Sequence, residues 1–88
     1  MRDALAAPTL RALWAWSEAD FLRHTEGSPI RRIGHARWRR NLAVAIGNAL
    51  RDPATPPAER EALARALRAE REEVDELVRE HIDWALRA

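Results

Sequence analysis

The chain has 88 residues, 47% apolar and 33% charged, with a net charge of +1 at neutral pH, which describes one small globular domain and not a disordered segment. It contains no cysteine, so disulfides, thiolate zinc sites and iron–sulfur ligation by these residues are ruled out. There is no run of about 18 apolar residues to span a membrane and no signal-like apolar segment at the N-terminus, so a cytoplasmic protein without a membrane partner is expected.

Residues 1–7 are small and weakly patterned. Pro8 opens a helix expected over about 9–16, with Leu10, Leu13 and Trp14 at i, i+3, i+4 spacing. Ser17-Glu18-Ala19-Asp20 has the form of a capping box and starts a second helix, which carries Phe21 and Leu22 to about residue 24 before Gly27 breaks it.

Ser28 then reads as an N-cap and Pro29 as a first helical residue, where its missing N–H costs nothing. About one turn follows, from Ile30 to Ile33, and Gly34 ends it in the left-handed conformation. A longer helix is expected over about 35–50. Turned by about 100° per residue, it places Trp38, Leu42, Ala45, Ile46 and Ala49 on a core face and Arg37, Arg40, Asn41 and Asn48 opposite. Gly47 inside it costs up to ~1 kcal/mol against alanine and points to a close approach of another backbone.

Five arginines lie between Arg31 and Arg40 with no acidic residue among them. Beside a helix N-terminus each exposed cation is unfavourable by about 0.3–1 kcal/mol. A bound anion reverses that sign, because free N–H groups, dipole and guanidinium groups then all favour it, and phosphate is the natural candidate. A solvated basic face, or arginines paired with carboxylates elsewhere in a larger protein, explains the run equally well. All 15 basic residues are arginine, which suits bidentate phosphate contacts but also follows from a GC-rich genome. Residues 1–51 carry a net +5 and residues 52–88 a net −4, so only the first half suits a polyanion.

The segment 52–57, with three prolines, reads as a stiff, extended linker. A closing helix pair follows within 58–88. Its first member, about 58–69, turns Leu63, Ala66 and Leu67 inward and carries a Glu61–Arg65 pair. Its second, about 72–87, turns Val74, Leu77, Val78, His81, Ile82, Trp84 and Ala85 inward, with Asp75–Arg79 and Asp83–Arg87 pairs outside. No strand candidate survives, so the fold is expected to be all-α: one domain over 1–88 with lead-in helices at 8–26, a central unit at 27–51 and the closing pair. A shift of 40 residues aligns Arg39 with Arg79, Leu42 with Ile82, Ala45 with Ala85 and Ile46 with Leu86. That is the period of HEAT-like antiparallel helix pairs, and a short array of them is predicted.

Catalytic chemistry finds little support. His24, His35 and His81 have no metal-ligand spacing, and His81 reads as a satisfied core residue. Ser28 is a cap before it is a nucleophile. Glu70, Glu72, Glu73, Asp75 and Glu76 read as a helix start complementing the dipole. Of the four tryptophans, Trp14, Trp38 and Trp84 face inward and Trp16 alone is available to stack on an unpaired base.

The run from Glu26 to Asn48, above all Gly27-Ser28-Pro29-Ile30-Arg31-Arg32 with Arg40-Asn41 and Gly47-Asn48, resembles the C-terminal part of the epoxyqueuosine reductases. Leu13-Trp14 through Asp20-Phe21-Leu22-Arg23 looks like that family's lead-in, and Val78 through Leu86 like its closing helix, so the resemblance covers most of the chain. It implies a HEAT-like domain that follows catalytic and ferredoxin-like parts in an oxidoreductase of queuosine biosynthesis using cobalamin and two [4Fe–4S] clusters. It further implies contact with a tRNA anticodon stem-loop and support of the ferredoxin-like part. Carried over by motif, Arg31, Arg32, Arg37, Arg40 and Asn41 are the candidate RNA contacts. The cluster cysteines and cobalamin-binding domain are absent, so the chain is expected to be no enzyme on its own, to hold no cofactor, and to be an excised domain or a stand-alone relative. A protein-interaction module with an arginine-rich face is the alternative from another class.

Overall fold

Apolar spacing on each helix decides what it buries, and the result in the computed structural model, which describes residues 7–88, is an all-α array with no strand among the described residues. Among these residues five helices, α1 (Ala7–Trp14), α2 (Glu18–His24), α3 (Gly34–Arg51), α4 (Pro57–Glu70) and α5 (Glu76–Leu86), are joined by short turns, with a 3₁₀ turn at Pro29–Ile33 ahead of α3. Of the weakly patterned 1–7 segment, residues 1–6 lie outside the described residues.

Contacts fix the helix directions. Arg11 reaches Glu59, and Trp14 donates its indole N–H to the carbonyl of Ala66, so α1 and α4 run the same way. Arg39 meets Glu70 while Leu50 lies near Pro57, so α3 opposes α4. Arg39 lies near Val78 and Gly47 near Trp84, so α5 runs with α3. The pairs α1–α3 and α4–α5 are therefore each antiparallel, and they stack with α1 alongside α4 and α3 alongside α5 in the same direction, as HEAT-like antiparallel pairs do. The core between them is Leu10, Trp14, Leu42, Ala43, Ile46, Leu63, Leu67, Val78, Ile82 and Ala85.

The offset of 40 residues has a structural counterpart. Arg39 on α3 donates to the carbonyl of Trp14, the last residue of α1, at 3.2 Å. Arg79 on α5 donates to the carbonyls of Arg71 and Val74, just past α4, at 3.0 and 3.1 Å. Each arginine satisfies orphan carbonyls at the C-terminus of the preceding helix and complements its dipole. Between α1 and α3, however, the chain inserts α2 and the 3₁₀ turn, where α4 and α5 are joined by a short loop alone.

Local signals behave as their chemistry requires. Ser17 and Asp20 form a reciprocal capping box, with both hydrogen bonds at 3.1 Å, and the bonds from the Ser17 backbone and hydroxyl hold the Asp20 carboxyl below its ordinary range. Ser28 accepts from the Ile30 N–H at 3.2 Å, and Pro29 opens the turn. Gly34 has φ 86° and ψ 159°, a region essentially restricted to glycine, and lets the turn pivot into α3.

Several expectations are corrected. The proline-rich segment is a compact turn, not an extended linker, because the Asp52 carboxylate accepts from the Ala54 N–H and the Asp52 carbonyl from the Thr55 N–H. The last helix starts at Glu76, not near residue 72: Asp75 caps it by accepting from the Val78 N–H, a stronger start than the acidic run before it. Of that run, only Asp75 and Glu76 serve the helix start, while Glu70 ends α4 and Glu72 pairs with Arg71. Asp83 pairs bidentately with Arg71, at 2.6 and 2.9 Å, instead of with Arg87, and Arg79 bonds carbonyls instead of Asp75. Leu77 is exposed, and His81 is half-buried, satisfied by its own helix at the Leu77 carbonyl. The α3 core face centres on Leu42, Ala43, Ile46 and Gly47, with Trp38, Ala45 and Ala49 at its flanks.

At Gly47 the close approach comes from an indole, not a backbone. A β-carbon there would clash with the Trp84 ring and lie 3.1 Å from the Ala85 methyl. Overpacking costs about 1–3 kcal/mol, at the upper end for a rigid ring, and exceeds the helix gain of ~1 kcal/mol for alanine over glycine. Gly47→Ala should therefore lower the urea midpoint at unchanged m-value, whereas a raised midpoint would mean that Trp84 swings aside freely.

The Arg71 guanidinium holds the Asp83 carboxyl below its ordinary value of 3.8. A depressed folded-state value stabilises above the unfolded value and is lost as pH falls through the folded one. Thermal melts of Asp83→Asn should thus show less loss of stability than the parent chain between pH 4 and the acid limit, with a lower melting temperature at neutral pH.

Candidate nucleic-acid interface

The α3 helix carries arginines of two kinds. Arg39 and Arg51 are engaged: each places its guanidinium 4.1 Å over a tryptophan ring, Trp14 and Trp84 respectively, and donates to that tryptophan's own carbonyl. Arg39 adds an ion pair to Glu70 at 3.3 Å, and its side chain is only 13% exposed. Arg51 also bonds the Gly47 carbonyl one turn back.

Arg31, Arg32 and Arg37 are exposed and, among the described residues, meet neither an acidic side chain nor a carbonyl. Arg40 is half-buried and gives its Nε–H to the Asn41 amide oxygen at 2.9 Å, and the terminal nitrogens of its guanidinium meet no acceptor among the described residues. That terminal fork is the part that matches two phosphate oxygens. Arg37, Arg40 and Asn41 share one α3 face at i, i+3, i+4 spacing, and Arg31 and Arg32 sit on the 3₁₀ turn before it. Asn48, placed on the same stripe two turns on, is exposed as well. Elsewhere Arg11, Arg23, Arg65 and Arg71 are tied to carboxylates and Arg60 and Arg79 to carbonyls. Arg68 and Arg87 also lack an acceptor among the described residues, but they belong to the acidic half of the sequence.

The helix start beside these arginines is electropositive in its own right. No side chain caps the N-terminus of α3, and no acidic residue occupies its first turn. The dipole and the cations there have the same sign, and no side chain of the first turn neutralises them.

An aromatic group holds the inserted segment against this end of α3, and sequence reasoning missed it. The Trp16 indole lies between His24 and Trp38, with centroids 4.4 and 5.5 Å away and interplanar angles of 13° and 15°. Phe21, fully buried, tilts against both His35 and Trp38, and His35 Nε2 hydrogen-bonds the Trp16 carbonyl. Trp16 is thus not the free ring expected; the exposed ring is His24. Positions 16, 24 and 38 obey no helical period, so no pattern in the sequence joins them. As for metals, the donor set does not fit a cluster: the chain has no thiolate, and no three His, Asp or Glu side chains converge among the described residues. No helix is long and apolar enough to cross a membrane among those residues.

Comparison with known proteins places the whole chain. It is 57% identical over 86 residues to an epoxyqueuosine reductase of Alicycliphilus denitrificans, covering 97% of this chain and 23% of that protein. The corresponding enzyme of Xanthomonas campestris is 53% identical over 85 residues, covering 97% of this chain and 22% of its own. That of Escherichia coli is 51% identical over 85 residues, covering 97% and 20%. The chain therefore spans about a fifth of the length of the curated relatives it matches. No family model matches the chain, and no solved structure matches it.

The division of labour among α3 arginines is open to measurement. Arg39→Ala removes a stacked, bonded, nearly buried side chain and should cost about 1–3 kcal/mol, or several degrees of melting temperature. Arg37→Ala and Arg40→Ala should stay within about 0.5 kcal/mol of the parent. Equal losses at all three positions would make the outward arginines part of the fold and end their candidacy as a ligand surface.

Proposed function

This chain belongs to the epoxyqueuosine reductase family, and we propose that it is the C-terminal helical domain of such an enzyme, contributing to its grip on tRNA. The domain carries no chemistry of its own. Arg31, Arg32, Arg37 and Arg40 bind phosphates of the anticodon stem-loop, and Asn41 holds the Arg40 guanidinium in a fixed direction. Phosphate contacts of this kind set the position of an RNA while its sequence and the modified base are read elsewhere, in the catalytic part. Cobalamin and the iron–sulfur clusters belong to that part and to the ferredoxin-like domain, which this domain braces.

One observation carries the reading: Arg31, Arg32 and Arg37, without side-chain acceptors among the described residues, and Arg40, bonded only to Asn41, gather on one turn and one helix face, beside an uncapped helix start. Arginines serving only the fold would be spent as Arg39, Arg51 and Arg79 are, on carbonyls and rings. A protein-interaction role for the same face would require an acidic neighbour in place of RNA.

Binding of an anticodon stem-loop RNA, followed by fluorescence anisotropy across a salt series, tests the proposal. Each phosphate contact removed should make the slope of log K against log salt shallower by about 0.7–0.9. Arg37→Ala combined with Arg40→Ala should therefore weaken binding and flatten the slope, at an unchanged melting temperature. Unchanged affinity and slope would overturn the RNA reading and favour the acidic protein partner.

A further inference from the structure

We infer that His24 is a stacking platform for an unpaired nucleobase of the bound RNA, an inference that rests on the RNA-binding reading above. The Trp38, Trp16 and His24 rings form a near-parallel column, with Trp16 in the middle and neighbouring centroids at 5.5 and 4.4 Å. His24 is the exposed member. One face of its imidazole is covered by Trp16, so what it offers to solvent is its edges and the opposite face, the next position in the column. A base added there continues a stack that is already built.

Rigidity makes this position favourable. Trp38 is fixed on α3 and packs against the core, Trp16 is fixed through its carbonyl bond to His35, and His24 closes the last turn of α2. The ordering entropy of the column is met in folding, not on binding. The column also stands at the N-terminal end of α3. Trp38 follows Arg37 in the chain, and the turn bearing Arg31 and Arg32 joins α2 to α3. Cations for the backbone and a π-face for a base are the two parts of a single-strand binding surface, and stacking of this kind tolerates any base. A stem-loop supplies both partners: phosphates along its strands and unstacked bases in its loop.

The test must keep Trp16 covered, because removing His24 altogether would hand its place to the indole beneath. His24→Leu fills the space without a π-face, and His24→Phe keeps one. The probes are a stem-loop RNA carrying 2-aminopurine at single loop positions and a blunt duplex of equal length with no loop. Parent chain and His24→Phe should quench 2-aminopurine at one loop position. His24→Leu should lose that quenching and bind the stem-loop about 5- to 150-fold more weakly, the range for loss of one base–aromatic stack, with the same salt slope and duplex affinity. Stem-loop affinity and quenching unchanged in His24→Leu would overturn the platform, and so would equal weakening on duplex and stem-loop. If the Arg37→Ala, Arg40→Ala chain still loses affinity while His24→Leu does not, RNA binding stands and the platform falls. If neither change matters, both fall.

Discussion

Two arginine–tryptophan clamps, both on α3, hold this small array together. Arg39 grips Trp14 of α1 by ring and carbonyl, and Arg51 grips Trp84 of α5 in the same way. A domain this short buries a modest apolar core, and its helices end close to one another. Helix ends expose carbonyls that must find donors. A guanidinium does both tasks at once, covering an aromatic face with its plane and satisfying a carbonyl with its N–H groups. Because α3 supplies both clamps, the array is organised around it. Gly47, between them, lets the Trp84 ring lie against the α3 backbone.

The same residue type then acquires a second meaning by its surroundings. On the inner side of α3 an arginine has rings, carbonyls and Glu70 within reach and is consumed by the fold. On the outer side, and on the turn before it, nothing acidic is within reach among the described residues. Net charge hides this, since the whole chain is close to neutral. What matters for a polyanion is the local sum of uncompensated charge, here reinforced by a helix dipole of the same sign.

Sequence resolved whatever rests on short range. The Ser17 box, the Ser28–Pro29 start and the pivot at Gly34 each depend on neighbours within a few residues or on the special freedom of glycine, while the missing β-carbon of Gly47 signalled a close approach but not that the Trp84 ring makes it. The apolar periods of α3, α4 and α5 gave the array, and the outward face of Arg37, Arg40 and Asn41 followed from the 3.6-residue repeat. Interactions between distant residues did not show. The acidic run at 70–76 has several carboxylates able to start a helix, and periodicity does not choose among them; Asp75 wins because its side chain reaches the Val78 N–H. Asp83 has an i+4 arginine, as a helix pair requires, yet Arg71 across the loop offers a bidentate fit and takes it. Leu77 continues the apolar stripe but sits in the first turn of the shortened helix and stays exposed.

The candidate interface lies where the repeat is interrupted. Arg39 and Arg79 occupy equivalent places, each closing the helix before it, but only the first unit inserts α2 and the 3₁₀ turn between the two. Phe21, fully buried, and Thr25, nearly so, are its only buried residues, so the insertion has almost no core of its own. Thr25 bonds within its own helix, to the Phe21 carbonyl. The insertion is anchored instead by rings, Trp16 and Phe21 meeting His35 and Trp38. Aliphatic packing could have fixed it as well, at the cost of any π-surface. Anchoring by a stack leaves one end of the stack outside, beside uncompensated cations. The insertion carries both the exposed cations Arg31 and Arg32 and the exposed His24 ring, on which the proposed RNA contact rests.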